Sequence, residues 1–413
     1  MKRFLVHILC CFIIIKKYRH YVRDKLLHKE NIEYCKTISN DSPLLTTYMS
    51  KVFQDDYDLS KERQSKKLIV FIEPRFSNKT GGAVGRYTYY KNLKKIIDDQ
   101  TSIVYTTEPG PFTYSKNDFF DNDIKYLRWE QVRDLMNGKE EVMLFIPMLE
   151  LQHPYTKKET FRDNLIGEDY KTFKSIKKLR VHINNGRMDM MPEKRIYSWF
   201  RSFTDDITTS VMHVSSNTQE ICNQIETPLI YLPARMDSTY NRKIAFSKKE
   251  KLIIISPDVL FTNIEFKRKF IIKINKELPE YKVAVVYGKK FEEYRCLQSI
   301  ASAVISFGEG WDAYFLSSFC LGTVGIAVYN EMFFPNKNNV DSVVLYESYD
   351  DLYNNFVDRF KEMMNDEDYY YNIIEKSINN FISKPYDKDL YLNNLRRVVE
   401  GDYDFYPEKG FEL

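Results

Sequence analysis

The chain has 413 residues, 43% of them apolar and 29% charged, with a formal net charge of +3. That length exceeds one ordinary core, so at least two domains are expected, and the composition excludes a disordered chain. So small a net charge leaves no electrostatic footprint for nucleic acid as a main partner.

The amino terminus, MKRFLVHILCCFIIIKKYRHYVRDKLLHKE (1–30), carries an apolar run from Phe4 to Ile15 between Lys2-Arg3 and Lys16-Lys17. Such a run is too short for a membrane span, which needs about 20 apolar residues. With its basic flanks it suits the interface of an anionic membrane, and the alternative is a buried first helix. Cys10, Cys11, Cys35, Cys222, Cys296 and Cys320 form no CxxC pair or Cys/His cluster. Neither a zinc site nor a disulfide framework is indicated, and a reducing, cytosolic compartment fits best. The expected location is therefore cytoplasmic, peripheral to the inner face of the membrane.

Short apolar, β-rich runs follow at 66–76, 101–107, 141–148, 179–184, 208–215 and 228–233. Helical stretches come between several of them, notably at 192–203 and 216–225. A polar break at 234–251 interrupts the pattern, which restarts with strands at 252–256, 281–288, 302–307, 324–329 and 342–346. Helices are expected at 263–277, 291–300 and 312–321, then from about 349 to 383 and at 387–401. Strands alternating with helices imply parallel sheets covered by helices on both faces. The fold class is α/β, with two tandem Rossmann-like doubly wound domains facing a cleft. Residues 1–30 are expected to form a membrane-associating segment, 31–235 the first of these domains, 236–385 the second, and 386–413 a carboxy-terminal helix and tail.

Ligands of such folds bind outside the carboxyl ends of the strands, so the loops there carry the candidates. Gly81 and Gly82, with Arg86 just beyond, open a helix after the first strand; paired glycines there serve either a plain turn or an anion or sugar. The loop is neither GxGxxG nor a P-loop. After the strand at 252–256, Lys267 is the choice for a diphosphate contact, as is Lys289 after the strand at 281–288. His182, Asn185 and Arg187 sit in RVHINNGRMDMMP (180–192). His182 is either a base or sugar ligand or a satisfied core histidine. No DxD motif occupies a post-strand position, so no metal is expected.

The last loop is ISFGEGWDAYFLSSFCLGTVGIA (305–327). It resembles the Glu-x7-Glu nucleotide-sugar motif of retaining glycosyltransferases of the GT-B fold: Glu309-Gly310 match the first Glu-Gly, and Gly322-Thr323 the later Gly-Thr. The resemblance implies that Glu309 contacts the donor sugar and acts in catalysis, while Gly308 and Gly310 admit the phosphates. It also implies a retaining, metal-independent transfer with no cofactor beyond the nucleotide-sugar substrate. The acceptor is then a saccharide or lipid-linked saccharide of surface polysaccharide or glycolipid assembly. Two positions depart from the pattern. The second Glu is replaced by Ser317, whose hydroxyl can bond a ribose but cannot supply a carboxylate. Asp312 stands where a glycine is common, and either supplies a carboxylate or caps the helix that begins there. The alternative is a degenerate, non-catalytic relative that binds a sugar nucleotide or serves as a scaffold.

Overall fold

The computed structural model describes residues 57–74, 81–109, 117, 119–152, 159–185, 191–213, 219–233, 244–258, 264–334, 340–383 and 388–402. Asp58–Leu413 falls in one compact unit.

Two parallel sheets organise it. The first contains β1 (Lys67–Glu73), β2 (Thr101–Thr107), β3 (Tyr126–Leu127), β4 (Glu141–Pro147), β5 (Lys178–Asn185), β6 (Ile207–Val211) and β7 (Leu229–Tyr231), in the order β3-β2-β1-β4-β5-β6-β7. The second contains β8 (Leu252–Ile255), β9 (Lys282–Val285), β10 (Ala303–Ile305), β11 (Val324–Val328) and β12 (Leu345–Tyr346), in the order β12-β11-β10-β8-β9. Every strand pairing is parallel. The expected α/β class is therefore observed, and β3 is an addition to the expected strands.

The reason lies in the strand composition. LIVFI in β1 and VMLFI in β4 are apolar on both faces and buried on both faces, as a sheet covered by helices requires. β9 lies at a sheet edge and is only partly buried. Gly325 in β11 has a packing reason: a Cβ there would stand 2.4 Å from the carbonyl oxygen of Phe315. Helix Ala313–Cys320 thus lies directly on its strand, close enough to exclude any side chain.

The helix Lys388–Glu400 does not form a separate tail. Its Tyr391, Leu395 and Val398 join Ile69, Phe71 and Tyr89 in the core of the first sheet. Asn394 donates to the Tyr231 carbonyl at 2.9 Å. Arg180 of β5 is only 1% exposed and donates to the carbonyls of Val398 and Val399 and to Glu141. The two sheets also meet where helix Phe291–Ile300 begins: the Phe291 N–H donates to the Phe119 carbonyl at 2.8 Å, and the Asp121 N–H to Glu292 at 3.0 Å.

Candidate active site

The Gly308–Glu309–Gly310 turn follows β10 and is held by its neighbours. Gly310 has φ +77°, and a Cβ on it would stand 2.7 Å from the Phe334 ring, so only glycine fits. Trp311 is buried next to the turn and packs edge-on against Phe334 and Phe381. Asp312 caps helix Ala313–Cys320 by accepting the Phe315 N–H at 3.0 Å, and its other oxygen accepts the Ser306 hydroxyl at 2.5 Å. Burial pushes this carboxyl up to about 6, while the Ser306 and Phe315 bonds hold it down.

Across from the turn lies the carboxyl end of the first sheet. β6 ends at Val211, and His213 stands two residues beyond it, buried and 5.2 Å from the Phe333 ring. Its Nε2 is 3.7 Å from Glu309 Oε2. That separation is beyond a direct hydrogen bond, yet it brings one polar group from each sheet to a single point. The pair is an ion pair whenever the imidazole carries its second proton.

The structure takes several expected residues away from this point. His182 is fully buried in β5, with Nδ1 2.8 Å from Thr208 Oγ1 and Nε2 3.0 Å from Ser210 Oγ. Burial, with Arg180 nearby, lowers its pKa to about 3. It is a satisfied core histidine, which corrects the catalytic assignment. Ser317 is also interior: its hydroxyl donates to the Ala313 carbonyl and to Gln298 Oε1, so it faces helix Phe291–Ile300 rather than a ribose. Lys267 is buried, and its ammonium donates to the carbonyls of Ser256 and Asp258. Those bonds supersede the expected diphosphate contact. Arg86 is held by Glu73, the last residue of β1, in a buried two-bond pair at 2.7 and 2.6 Å, which commits its guanidinium to the protein rather than to an acceptor.

Other expected residues stay near the strand ends. Lys289 is exposed between β9 and helix Phe291–Ile300. Gly81 and Gly82 open helix Gly81–Ile96 after β1. Asn185 ends β5, in register with Val211 of β6. Arg187 and residues 1–30 lie outside the described residues. Among the described residues, no helix is long and apolar enough to cross a membrane, and no group of three or more His, Cys, Asp or Glu side chains could hold a metal ion.

Sequence reasoning missed His213, Asp258 and the pair Glu108–Glu150. His213 was hidden because its strand was expected to run through 215; its signal is a polar residue just past a strand. Asp258 follows β8, is half-buried, and has its carboxyl pushed up by burial and drawn back by Lys267. Glu108 follows β2, and Glu150 lies in the short helix after β4. Burial, and after it the hydrogen bond with Glu108, push the Glu150 carboxyl up to about 9.

No family model matches the chain, and no curated protein matches its sequence. Similar solved structures include a glycosyltransferase from Rickettsia africae ESF-5, at 10% identity over 82% of this chain and 100% of that one, with a TM-score of 0.46. A sucrose-phosphate synthase from Thermosynechococcus elongatus matches at 9% identity over 81% and 100%, with a TM-score of 0.47. A UDP-GlcNAc 2-epimerase from Neisseria meningitidis bound to UDP-GlcNAc matches at 11% identity over 81% and 99%, with a TM-score of 0.43. All three TM-scores are below 0.5.

Proposed function

We propose that the chain is a glycosyltransferase that moves a sugar from a nucleotide-sugar donor to a saccharide or lipid-linked saccharide acceptor. The observation that carries the reading is the 3.7 Å approach of Glu309 to His213 at the carboxyl ends of two parallel sheets. A carboxylate there accepts hydrogen bonds from sugar hydroxyls, and the imidazole offers a second polar contact from the opposite sheet. The glycines on either side of Glu309 let the backbone approach the ligand. Retention of configuration, and a role in surface polysaccharide or glycolipid assembly, belong to the same proposal through the motif at 305–327. So does contact of residues 1–30 with an anionic membrane.

A second reading has specific support. Ser317 and Lys267 both turn into the protein, so two expected donor contacts are absent from the cleft. This favours a degenerate relative that binds a sugar nucleotide without turning it over, or a scaffold.

One set of measurements separates these readings. Melting temperature is followed with UDP-, GDP-, dTDP- and CMP-sugars, each with and without Mg²⁺, for the wild type and Glu309→Gln; a ligand that binds the folded chain raises it. A shift for one nucleotide class, reduced in the variant, together with sugar release into a saccharide acceptor, supports the transferase. A shift without turnover supports the degenerate binder. No shift under any condition defeats the nucleotide-sugar reading. Flotation with anionic vesicles, lost on deleting residues 1–28, tests the membrane part.

A further inference from the structure

Among the described residues, the large apolar side chains left exposed are Ile166, Ile264, Ile272, Val285 and Tyr287. All but Ile166 lie on helix Ile264–Glu277 or at the end of β9, the edge strand. Along the helix, Ile264, Arg268, Ile272 and Lys276 recur every fourth residue, and all are exposed. Residues at that spacing form one stripe. The other side of the helix is already used: Phe270 and Ile274 pack into the core of the second sheet, with Val283 of β9 against it. Ile264 is 68% exposed and Ile272 57%, so the stripe faces fully outward.

A helix that joins two adjacent parallel strands runs back along them, so its first turn lies at their carboxyl ends. Ile264 therefore shares a rim with the end of β9. Strand alternation places Val285 on the side that carries Val283, which is the side the helix covers. Tyr287 follows, 86% exposed, and then Lys289 and Lys290, both exposed. Glu265, beside the stripe, pairs with Lys269 at 4.0 Å, and Glu277 ends the helix at the far end of the sheet. The stripe's own charges, Arg268 and Lys276, are both positive. Apolar and basic side chains thus alternate along one outward face.

A second copy of the chain would set these cations against one another, which opposes association. An anionic bilayer meets both halves of the pattern. Isoleucine, valine and tyrosine enter its interface, while Lys and Arg keep their charged heads at the phosphates. We infer that the stripe of helix Ile264–Glu277, with the rim at Val285 and Tyr287, docks the chain on an anionic lipid surface. This contact is separate from the one proposed for residues 1–30. Stable attachment takes two such signals, because one alone binds only marginally. The rim belongs to the sheet end that bears Gly308–Glu309–Gly310, so docking brings that end toward lipid. The inference does not require the nucleotide-sugar reading, although a lipid-linked acceptor would suit it.

The test uses the full chain and vesicles of phosphatidylglycerol with phosphatidylcholine, read by flotation, with pure phosphatidylcholine as the neutral control. The wild type is expected to float with the anionic vesicles only. The double variants Ile264→Ser/Ile272→Ser and Arg268→Gln/Lys276→Gln are each expected to bind at least about tenfold more weakly, although residues 1–30 are intact. Ile166→Ser removes a comparably exposed side chain elsewhere and is expected to bind like wild type. Melting temperatures confirm that all three variants fold. No flotation by the wild type, or equal flotation with neutral vesicles, overturns the inference. So does wild-type binding by both double variants, or an equal loss in Ile166→Ser. Two further outcomes would reassign the face. A dimer in sedimentation that Ile264→Ser/Ile272→Ser dissociates gives it to a second copy. Binding to poly-glutamate but not to vesicles, lost in Arg268→Gln/Lys276→Gln, gives it to an acidic protein. None of these results depends on a nucleotide sugar, so the two readings fail separately.

Discussion

His182 and His213 are both buried at the first sheet, yet they belong to different chemistries. His182 lies within β5, where Thr208 and Ser210 of the neighbouring strand take both ring nitrogens and Phe145 packs 4.5 Å from the ring. His213 lies just past the end of β6 and meets Glu309 from the second sheet. The difference is position along the strand. Inside a sheet the neighbouring strand satisfies an imidazole, whereas past its end the other sheet can present a group to it.

The largest effect expected from this contrast is on stability. His182→Ala leaves two hydroxyls short of a partner and opens a cavity beside Phe145, at a cost of about 3 kcal/mol. Denaturant titration measures it; a loss below about 1 kcal/mol would show that His182 is not the structural member of the two. Next comes His213→Ala, which is expected to lower sugar transfer by about 10²-fold with a smaller loss of stability. Turnover equal to wild type would remove His213 from the site and leave Glu309 alone there.

The smallest effect is on the pH dependence of melting. The folded chain holds the His182 pKa at about 3, against 6.5 for an unperturbed imidazole. Between those values the unfolded chain binds the proton and the folded chain does not. This contribution to stability is therefore complete above about pH 6.5 and declines as the pH falls toward 3. His182→Gln retains groups that can bond Thr208 and Ser210 but does not titrate. It should flatten the decline in melting temperature between pH 7 and pH 4, and an unchanged slope would assign that decline to other groups.

The fold was far more legible than the site. Buried parallel strands appear in sequence as continuous apolar runs, so β1, β4, β8 and β11 could be placed to within a few residues. β3 has only two residues, too few to show a pattern. Side-chain roles depend on partners distant in sequence, which no local pattern reveals. Ser317 occupies the motif position expected to hold a ribose, but Gln298 on a neighbouring helix turns it inward. Lys267 has the right charge in the right loop, but Ser256 and Asp258 offer it carbonyls at close range. Glu309 was legible because the glycines beside it mark a turn, and what faces it across the cleft was not.

The bonds from Arg180 to the Val398 and Val399 carbonyls span more than two hundred residues of chain. During synthesis, every strand of the first sheet leaves the ribosome before those two acceptors exist. Until they arrive, a guanidinium destined for the interior has Glu141 and Asp206 beside it but not its carbonyl partners. The first sheet therefore cannot reach its final form domain by domain, in the order in which it is made. Its completion waits for the second sheet to be translated and for helix Lys388–Glu400 to come back, a long-range closure of the kind that slows folding. A chain interrupted after residue 385 would expose the apolar bed of that helix and strand a buried charge, and quality-control proteases would meet it as an unfinished protein.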